Sequence, residues 1–227
     1  MDGTDEIRGT WERILGAALR LFAGKGFEAT GIREIASDAG VTTATLYHHA
    51  ATKEDLLLTL MRRGMERLLE ATGEMTPQLR KPEQKLVALV RLHVVVHGVH
   101  QLSAIVNDTE LRALSEEHRA SIVGKRDEYE AYWRVALADG ISRGVFSVED
   151  PKMAAFALLQ MCTGVAHWYS PDGELPIGRI GIRFADMALA LAGAKRDGKQ
   201  LRVTDLKLPG FVENYLAEAS EDRGLGR

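Results

Sequence analysis

The sequence predicts an all-α fold, and three observations support this prediction. Apolar residues recur at spacings of three and four along most of the 227-residue chain, as in Ile14, Ala18 and Leu21, which is typical of amphipathic helices. The chain has only 6 prolines, and they lie mostly outside the periodic segments. The run Val94–Val96 has strand propensity, but the stripe of Leu86, Val90 and His93 around it has helical spacing.

The composition is that of a globular protein, with 45% hydrophobic and 27% charged residues. The formal net charge of −3 excludes a generally basic protein, so contact with a nucleic acid requires a local surface. One cysteine, Cys162, excludes an internal disulfide and a cysteine-rich metal site and is compatible with a reducing cytosol. The chain opens without a signal-peptide pattern, and no run approaches the ~18 apolar residues of a membrane span. We therefore expect a cytoplasmic protein.

Four helices are expected before the first long break. They run from about Thr10 to Ala23, Ile32 to Ala39, Thr42 to His49, and Thr52 to Ala71. At the start of the fourth helix, Thr52 and Asp55 have the spacing of a capping box.

Gly73, Pro77 and Pro82 mark a connection, after which a larger helical region is expected. Its helices are predicted at Glu83–Gln101, Asp108–Leu114, Glu116–Arg143, Pro151–Tyr169 and Ile177–Ala194, and a short amphipathic helix at Phe211–Leu216. The predicted domains are 1–54, a helix-turn-helix head, 55–195, a helical body for effector binding and dimerisation, and 196–227, a C-terminal extension.

The most informative segment is GIREIASDAGVTTATLYHH, residues 31–49. A helix-turn-helix needs a small residue where its helices cross, and Ala36 supplies it. Gly40 suits the left-handed geometry of the turn, and Thr42 can cap the second helix. Apolar residues at the right spacing hold the pair together, namely Ile32, Ile35, Val41 and Leu46. We interpret the segment as a DNA-reading motif rather than an ordinary helical hairpin.

In this motif Leu46 should face inward and four residues outward: Thr43, Ala44, Tyr47 and His48. Threonine can bond base edges, a tyrosine hydroxyl can reach a phosphate, and Lys53 can reach the backbone of DNA. The alternatives are that Tyr47 packs on the first helix and that His48 and His49 are solvated or fill the core. Residues 1–53 hold six Lys/Arg and seven Asp/Glu, so the position of these charges decides the affinity.

The stretch from Arg13 to about Leu57 resembles the TetR/AcrR family of regulators. The matching positions are Ile35-Ala36, Ala39-Gly40-Val41, Leu46-Tyr47, His49 and Lys53-Glu54. The resemblance implies an all-helical homodimer, usually a repressor, that releases its operator when a small molecule binds the C-terminal body. It also implies phosphate contacts from Tyr47, His48 and Lys53, and a base-reading surface formed by Thr42, Thr43, Ala44 and Thr45.

Three positions depart from the family pattern. Gly31 stands where the family often has Thr or Ser, so one phosphate contact is in doubt. Ala44 stands where Gly is common, which can alter how closely the helix approaches the bases. Ala50-Ala51 stands where a Phe usually follows the second His, so the head either loosens or fills the gap with another side chain.

Two stretches of the body have a weaker resemblance to the branch of the family that controls fatty-acid and steroid breakdown. They are LRALSEEHRASIVGKRDEYEAYWRVALADGISRGVF, residues 111–146, and HWYSPDGELP, residues 167–176. Members of that branch respond to acyl-CoA thioesters, so the resemblance implies an effector of this class.

Several body residues are candidate effector contacts. His93, His97 and His100 share one helix face, and they either line a pocket or core, lie on the surface, or hold a metal with a carboxylate from elsewhere. Pocket or core is the preferred interpretation, so neither a metal nor a cofactor is expected. The candidate pocket walls are Tyr129, Trp133, Met161 and Trp168, with plain core packing as the alternative.

Two late helices carry small and apolar residues: Ala154, Ala155, Leu158, Leu159 and Cys162, then Ile180, Phe184, Met187, Ala188 and Leu191. The family resemblance implies a four-helix dimer interface here, and the alternative is the monomer's own core. The preferred function is a ligand-responsive DNA-binding repressor. A helical enzyme lacks a catalytic constellation in this sequence, and a scaffold whose hairpin never meets DNA is the third hypothesis.

Overall fold

The computed structural model describes residues 3–221, with side chains for residues 7–218. Its helices are α1 (Gly3–Lys25), α2 (Ile32–Asp38), α3 (Thr43–His49), α4 (Lys53–Met75), α5 (Pro82–Val99), α6 (Gln101–Thr109), α7 (Glu116–Ser142), α8 (Pro151–Thr163), α9 (Val165–Trp168), α10 (Ile177–Leu191) and α11 (Gly210–Glu221). A two-residue hairpin joins β1 (Lys195–Arg196) to β2 (Lys199–Gln200) in antiparallel register. The predicted all-α class is therefore confirmed.

The chain forms two compact units. Within the described residues, the first unit contains the chain up to Glu66 together with Leu102–Gly124, and the second contains Arg67–Gln101 and the chain from Lys125 onward. Helices α4 and α7 contribute residues to both units. The predicted domain limits at 54 and 195 remain predictions.

The core of the first unit combines α1–α4 with the segment 102–124. Phe22, Ile35, Leu46 and Leu57 are almost completely buried in it. Val106, Leu114 and Ile122 from the segment 102–124 are buried in the same cluster. Side chains far apart in sequence therefore stabilise this first unit together, because each buries apolar area against the others. We call this unit the head from here on.

The second unit is built around α5, whose residues are buried from Leu86 to Gly98. Helix α10 packs closely on α5 where glycines allow it. An added Cβ at Gly98 would lie 2.3 Å from Cδ1 of Ile177, so any larger residue would force the Ile177 side chain to move. Helices α8, α9 and α11 also contact α5.

The C-terminal extension is an ordered part of the second unit up to residue 221. Arg91 of α5 makes two hydrogen bonds to Glu213 of α11, at 2.6 and 2.9 Å. Arg196 pairs with the buried Glu83 at 2.7 Å. The extension therefore neutralises two charges of α5 that are themselves shielded from water. The short helix expected at 211–216 exists and is longer, since α11 spans Gly210–Glu221.

Helices α1 and α4 are longer than predicted, and two regions of the body divide into helices differently from the prediction. The prediction of a helix at 108–114 is wrong. Helix α6 spans Gln101–Thr109, and a 3₁₀ turn follows at Leu111–Ala113. The backbone leaves helical geometry at His100, where ψ is 48°, and this ends α5. Helix α6 begins at the next residue, Gln101. The helix expected at 151–169 divides at Gly164 into α8 and α9.

No single helix within residues 3–221 is long and apolar enough to cross a membrane.

Candidate nucleic-acid interface and effector site

Helices α2 and α3 form the predicted helix-turn-helix. Ala36 is 2% exposed where the helices cross, and Leu46 of α3 is fully buried. Gly40 has a φ of +65°, the left-handed geometry that glycine adopts without a steric penalty. The Val41 N–H donates to the Ala36 carbonyl at 2.9 Å, which closes the turn.

The N-terminus of α3 is capped as the sequence predicts. The Oγ1 of Thr42 accepts a hydrogen bond from the Thr45 N–H at 3.0 Å, and the two threonine hydroxyls lie 2.9 Å apart. The side chain of Tyr47 is 52% exposed, and Ala44 and His48 are exposed as well. Thr43 and Thr45 are half-buried. Of the predicted DNA contacts on α3, Ala44, Tyr47 and His48 are therefore accessible, and Thr43 and Thr45 are partly accessible.

Lys53 lies at the start of α4, where its side chain turns inward. Its ammonium donates to the carbonyls of Phe27 and Thr30, at 2.8 and 2.9 Å. The same nitrogen lies 4.1 Å from the centroid of the Phe27 ring. Since an ammonium has three N–H donors, one remains for a DNA phosphate. Lys53 therefore holds the turn between α1 and α2, and its phosphate contact remains a prediction.

Ion pairs neutralise several carboxylates of the head. Arg20 pairs with Asp38 at 2.6 Å, and Arg63 binds both oxygens of Glu12 at 2.8 and 2.9 Å. Lys25 bonds Glu34 and is the main reason that the pKa of Glu34 is lowered. These pairs remove negative charge that would repel a phosphate backbone, although exposed pairs add little stability.

The structure clarifies the departures from the family pattern. Gly31 is the N-cap residue of α2 with extended backbone and no side-chain cap, so backbone groups alone are presented there. Ala50 is 5% exposed and packs in the core of the head. Next to it, His49 stacks on Trp11 of α1 with ring centroids 5.6 Å apart. An aromatic pair therefore joins α1 to the end of α3.

Two carboxylates link the segment 102–124 to the residues that flank the helix-turn-helix, and no local sequence pattern predicts either contact. Glu54 accepts hydrogen bonds from the Ser115 N–H at 2.8 Å and from Nδ1 of His118 at 2.7 Å. The bond from Ser115 contributes most to the lowered pKa of Glu54. Glu110 accepts from the Phe27 N–H at 3.3 Å, in the same turn that Lys53 holds.

In the second unit, a buried polar cluster brings together His93, Tyr129 and Thr163. The His93 ring lies 3.1 Å from the Tyr129 hydroxyl through Nδ1 and 3.0 Å from Oγ1 of Thr163 through Nε2. His97 stacks on His93 at 3.8 Å and bonds the His93 carbonyl through Nδ1 at 2.9 Å. Burial, with a smaller effect of His97, lowers the pKa of His93 well below its usual value, so its ring is neutral.

Thr72 and Trp133 complete this cluster. Both approach the Tyr129 hydroxyl and partly offset the rise in its pKa that burial causes. Neither Oγ1 of Thr72 nor Nε1 of Trp133 makes a hydrogen bond of normal geometry, and both residues are fully buried. The Tyr129 hydroxyl oxygen is the acceptor within reach of both donors.

The other effector candidates lie elsewhere in the second unit. His100 caps the C-terminus of α5 and is half-buried, as is Met161 on α8. Trp168 is 56% exposed and stacks on Phe184 at 6.2 Å. Trp168, Phe184 and Met187 help to line an open groove of about 450 Å³. The structure thus separates Trp168 from the buried cluster of His93, Tyr129 and Trp133.

The two late helices divide their apolar residues between a core and a surface. Ala155, Leu158 and Cys162 of α8 are fully buried, as is Ala188 of α10, so this part of the predicted dimer stripe closes the core of the unit instead. Met187 and Leu191 of the predicted stripe are exposed on α10, as are Met153 and Phe156 of α8, which the prediction did not include, at 45–62%. We call these four residues the apolar face.

Among the described residues, no group of three or more His, Cys, Asp or Glu side chains has the arrangement of a metal site.

Two family profiles match the chain. The profile described as "Bacterial regulatory proteins, tetR family" matches residues 14–60, which contain the helix-turn-helix. The profile described as "Tetracyclin repressor-like, C-terminal domain" matches residues 79–192.

Individual relatives agree with these matches. The chain is 26% identical over 187 residues to the HTH-type transcriptional repressor KstR2 of Mycobacterium tuberculosis, covering 82% of this chain and 92% of the relative. A regulatory protein in the tetR family from Rhodococcus RHA1 is 30% identical, with a TM-score of 0.77 over 82% of this chain and 98% of that one. AibR, whose structure was solved in complex with isovaleryl coenzyme A and operator DNA, is 29% identical in sequence to this chain. The two structures superpose with a TM-score of 0.71, covering 82% of this chain and 100% of AibR.

Proposed function

This chain belongs to the TetR family of DNA-binding transcription regulators, and we propose that it is a homodimeric repressor that an acyl-CoA thioester releases from its operator. The helix-turn-helix carries the proposal: its turn, cap and buried contacts are complete, and its accessible residues are ones that can bond DNA. A repressor of this kind acts by binding, so we propose that it has no enzymatic activity. We also propose that it is located in the cytoplasm, together with the DNA that it would bind.

Reading of the operator is assigned to α3. The hydroxyl of Thr43 and the methyl of Ala44 can contact base edges in the major groove, and Thr45 and Thr42 support them from the capped first turn. Tyr47 and His48 lie on the exposed side of α3, where phosphates of the backbone would pass. Residues 1–53 contain only six Lys/Arg, and two of them, Arg20 and Lys25, are engaged in ion pairs, so few cations are available to phosphates and the salt dependence should be modest.

The apolar face is the proposed dimer contact. Four large apolar side chains on two neighbouring helices would remain in water in a monomer, and burying them stabilises an association of two copies. A twofold dimer places two recognition helices about 34–36 Å apart, one turn of DNA, so the operator should be palindromic.

The effector class follows from likeness to relatives and from the chemistry of the second unit. AibR, whose structure is a complex with isovaleryl coenzyme A and operator DNA, is matched over all of its own chain and over 82% of this one. The second unit offers a buried cluster with neutral polar groups in apolar surroundings, the usual composition of a small-molecule site. An effector that prefers the non-binding arrangement of the dimer shifts the population away from DNA.

The experiment that tests this function is a selection of genomic fragments bound by the full-length protein, followed by affinity measurements on the enriched sequence. We expect a palindromic sequence. Thr43→Val should weaken the selected site by about tenfold and leave random DNA unaffected, because it removes one base contact. Tyr47→Phe should weaken all sequences by a similar factor, because it removes a phosphate contact.

Thr204→Val, an exposed threonine of the C-terminal extension, is the matched control and should bind like the wild type. Absence of any enriched fragment, or an unchanged affinity in both α3 variants, would show that the motif does not read DNA. A scaffold would give that result. Turnover of an acyl-CoA by the protein would instead favour an enzyme.

A further inference from the structure

We propose that Trp11 of α1 is a positioning residue for the reading of DNA. Its ring stacks on His49 and thereby fixes the direction in which α3 presents Thr43 and Ala44. This inference rests on the proposed function, and it adds a residue outside the helix-turn-helix on which sequence discrimination depends.

Helix α3 has few attachments of its own. It spans only seven residues, Thr43–His49, and Leu46 is the only one of them that is buried. A helix of this length is not stable by itself in water, so contacts with the rest of the head must hold it. With a single side chain anchored in the core, a short helix can still swing about that point. Its direction is therefore decided by how its two ends are held.

The first end of α3 is held through α2. A backbone hydrogen bond closes the turn between the two helices, and two arginines of α1 bind the end of α2. The Nε of Arg13 donates to the Ala39 carbonyl at 3.3 Å. Arg20 pairs with Asp38 at 2.6 Å. Cations at the C-terminus of a helix also interact favourably with its dipole. The start of α3 is therefore fixed relative to α1.

The second end of α3 is held by Trp11. The rings of Trp11 and His49 are nearly parallel, with 11° between their planes and 5.6 Å between their centroids, and both residues are half-buried. His49 is the last residue of α3, and Ala50 after it has extended backbone and only a methyl side chain. A stacked aromatic pair contributes about 0.5–1.5 kcal/mol beyond its buried area. Trp11 therefore restrains the end of α3 that the turn leaves free.

The two kinds of DNA contact should respond differently to a loss of this restraint. A hydrogen bond to a base edge needs a donor–acceptor distance of about 2.9 Å and a favourable angle, so a small rotation of α3 breaks it. The attraction between a cation and a phosphate falls slowly with distance and tolerates the same rotation. Loosening the end of α3 should therefore weaken binding to the operator more than binding to random DNA.

The test measures the ratio of the affinity for the selected site to the affinity for random DNA, by fluorescence anisotropy of the full-length protein. Trp11→Ala should lower this ratio by about tenfold, the effect of losing one base contact. Alanine is a good helix former and Trp11 is half-buried, so the variant should fold. Trp11→Phe keeps a ring against His49 and should stay within about threefold of the wild-type ratio.

His49→Ala is the second variant, because it removes the other ring of the pair. It should lower the affinity ratio by the same factor as Trp11→Ala. Since the two rings act as one unit, the double variant should lose no more than either single variant.

Arg63→Met is the control for a general loss of stability. It removes the two hydrogen bonds to Glu12, the residue next to Trp11, and so loosens α1 in the head without changing a contact of α2 or α3. Urea unfolding should show reduced stability in both Arg63→Met and Trp11→Ala, but only Trp11→Ala should lower the affinity ratio. The ratio therefore separates positioning from stability.

An unchanged ratio in Trp11→Ala, with a wild type that selects its operator, would overturn the inference and leave the proposed function intact. Additive losses in the two alanine variants would also overturn it, since His49 would then act on DNA independently of Trp11. Absence of sequence selection by the wild type would overturn both the inference and the proposed function.

Discussion

The ammonium group of Lys53 donates to the carbonyl of Phe27 at 2.8 Å and lies 4.1 Å from the centroid of the ring of the same residue. It also bonds the carbonyl of Thr30, so one side chain from the start of α4 holds the turn that precedes α2. Glu110 binds the N–H of Phe27 from the other side. The position of the helix-turn-helix thus depends on two charged groups that bond backbone atoms.

Replacing Lys53 by methionine should therefore destabilise the head. The variant loses two charge-assisted hydrogen bonds and the cation–π contact with Phe27. Because the position is half-buried, we expect the free energy of unfolding to fall by about 1–2 kcal/mol. The free energy of unfolding is measured by urea titration monitored by circular dichroism. Lys81→Met, at an exposed lysine, should leave the unfolding midpoint unchanged. If Lys53→Met unfolds like the wild type but binds DNA poorly, the residue acts only as a phosphate contact.

The neutral state of His93 predicts a specific loss of stability in acid. Burial keeps the pKa of the folded state below the ordinary value of 6.5, so the unfolded state takes up a proton that the folded state refuses. The free energy of unfolding should fall as the pH drops below 6.5, by up to about 1.4 kcal/mol per pH unit for this group.

The measurement is a series of urea titrations of the wild type and His93→Gln between neutral and mildly acidic pH. The variant should show a shallower decline, whereas His48→Gln, at an exposed histidine, should follow the wild type. Identical pH slopes in His93→Gln and the wild type would contradict a buried neutral His93.

Cys162 should be unreactive in the folded protein. The residue is fully buried on α8, and burial raises the pKa of its thiol to about 12, so almost no thiolate exists at neutral pH. A thiol reagent such as 5,5′-dithiobis(2-nitrobenzoate) should label it only after unfolding in guanidinium chloride. Rapid labelling of the native protein would show that α8 opens readily or is packed differently.

The pair of Arg91 and Glu213 should fasten the C-terminal extension to α5. Arg91 is 7% exposed, so Glu213→Ala leaves a largely buried cation without its partner. Because the side chain of Glu213 is about half exposed, we expect a loss of about 1–2 kcal/mol rather than that of a fully buried pair.

A double-mutant cycle with Arg91→Met tests this coupling, since the two changes together should cost less than their sum. Glu218→Ala, at an exposed carboxylate on the same helix, is the control. Strict additivity would mean that the extension is held by its apolar contacts alone.

Much of the head could be predicted from the sequence because its determinants are local. Gly40 predicts a left-handed turn, and the structure has a positive φ there. Thr42 predicts an N-cap, and Thr52 with Asp55 predicts a capping box; both are present with the expected hydrogen bonds. The inward position of Leu46 likewise follows from helical periodicity.

The features that sequence reasoning missed depend on contacts between distant segments. The inclusion of Leu102–Gly124 in the first unit rests on burial of side chains such as Val106 against α1–α4, and no local pattern encodes it. Thr72 and Thr163 look like ordinary helix residues until α4, α5, α7 and α8 bring them to one cluster. The sequence predicts the end of the fifth helix at Gln101, close to its observed end at Val99, but it places the start of the next helix at Asp108 and not at Gln101.

The most direct test of the repressor account is fluorescence anisotropy of the full-length protein on DNA from upstream of its own gene, at two salt concentrations, with and without acyl-CoA thioesters. We predict tight binding that resists competitor DNA, weakens modestly with salt and is abolished by one thioester. Specific binding that no thioester changes would contradict the proposed effector class. Absence of specific binding to this DNA and to every fragment of the genomic selection would contradict the assignment of the helix-turn-helix as a DNA reader.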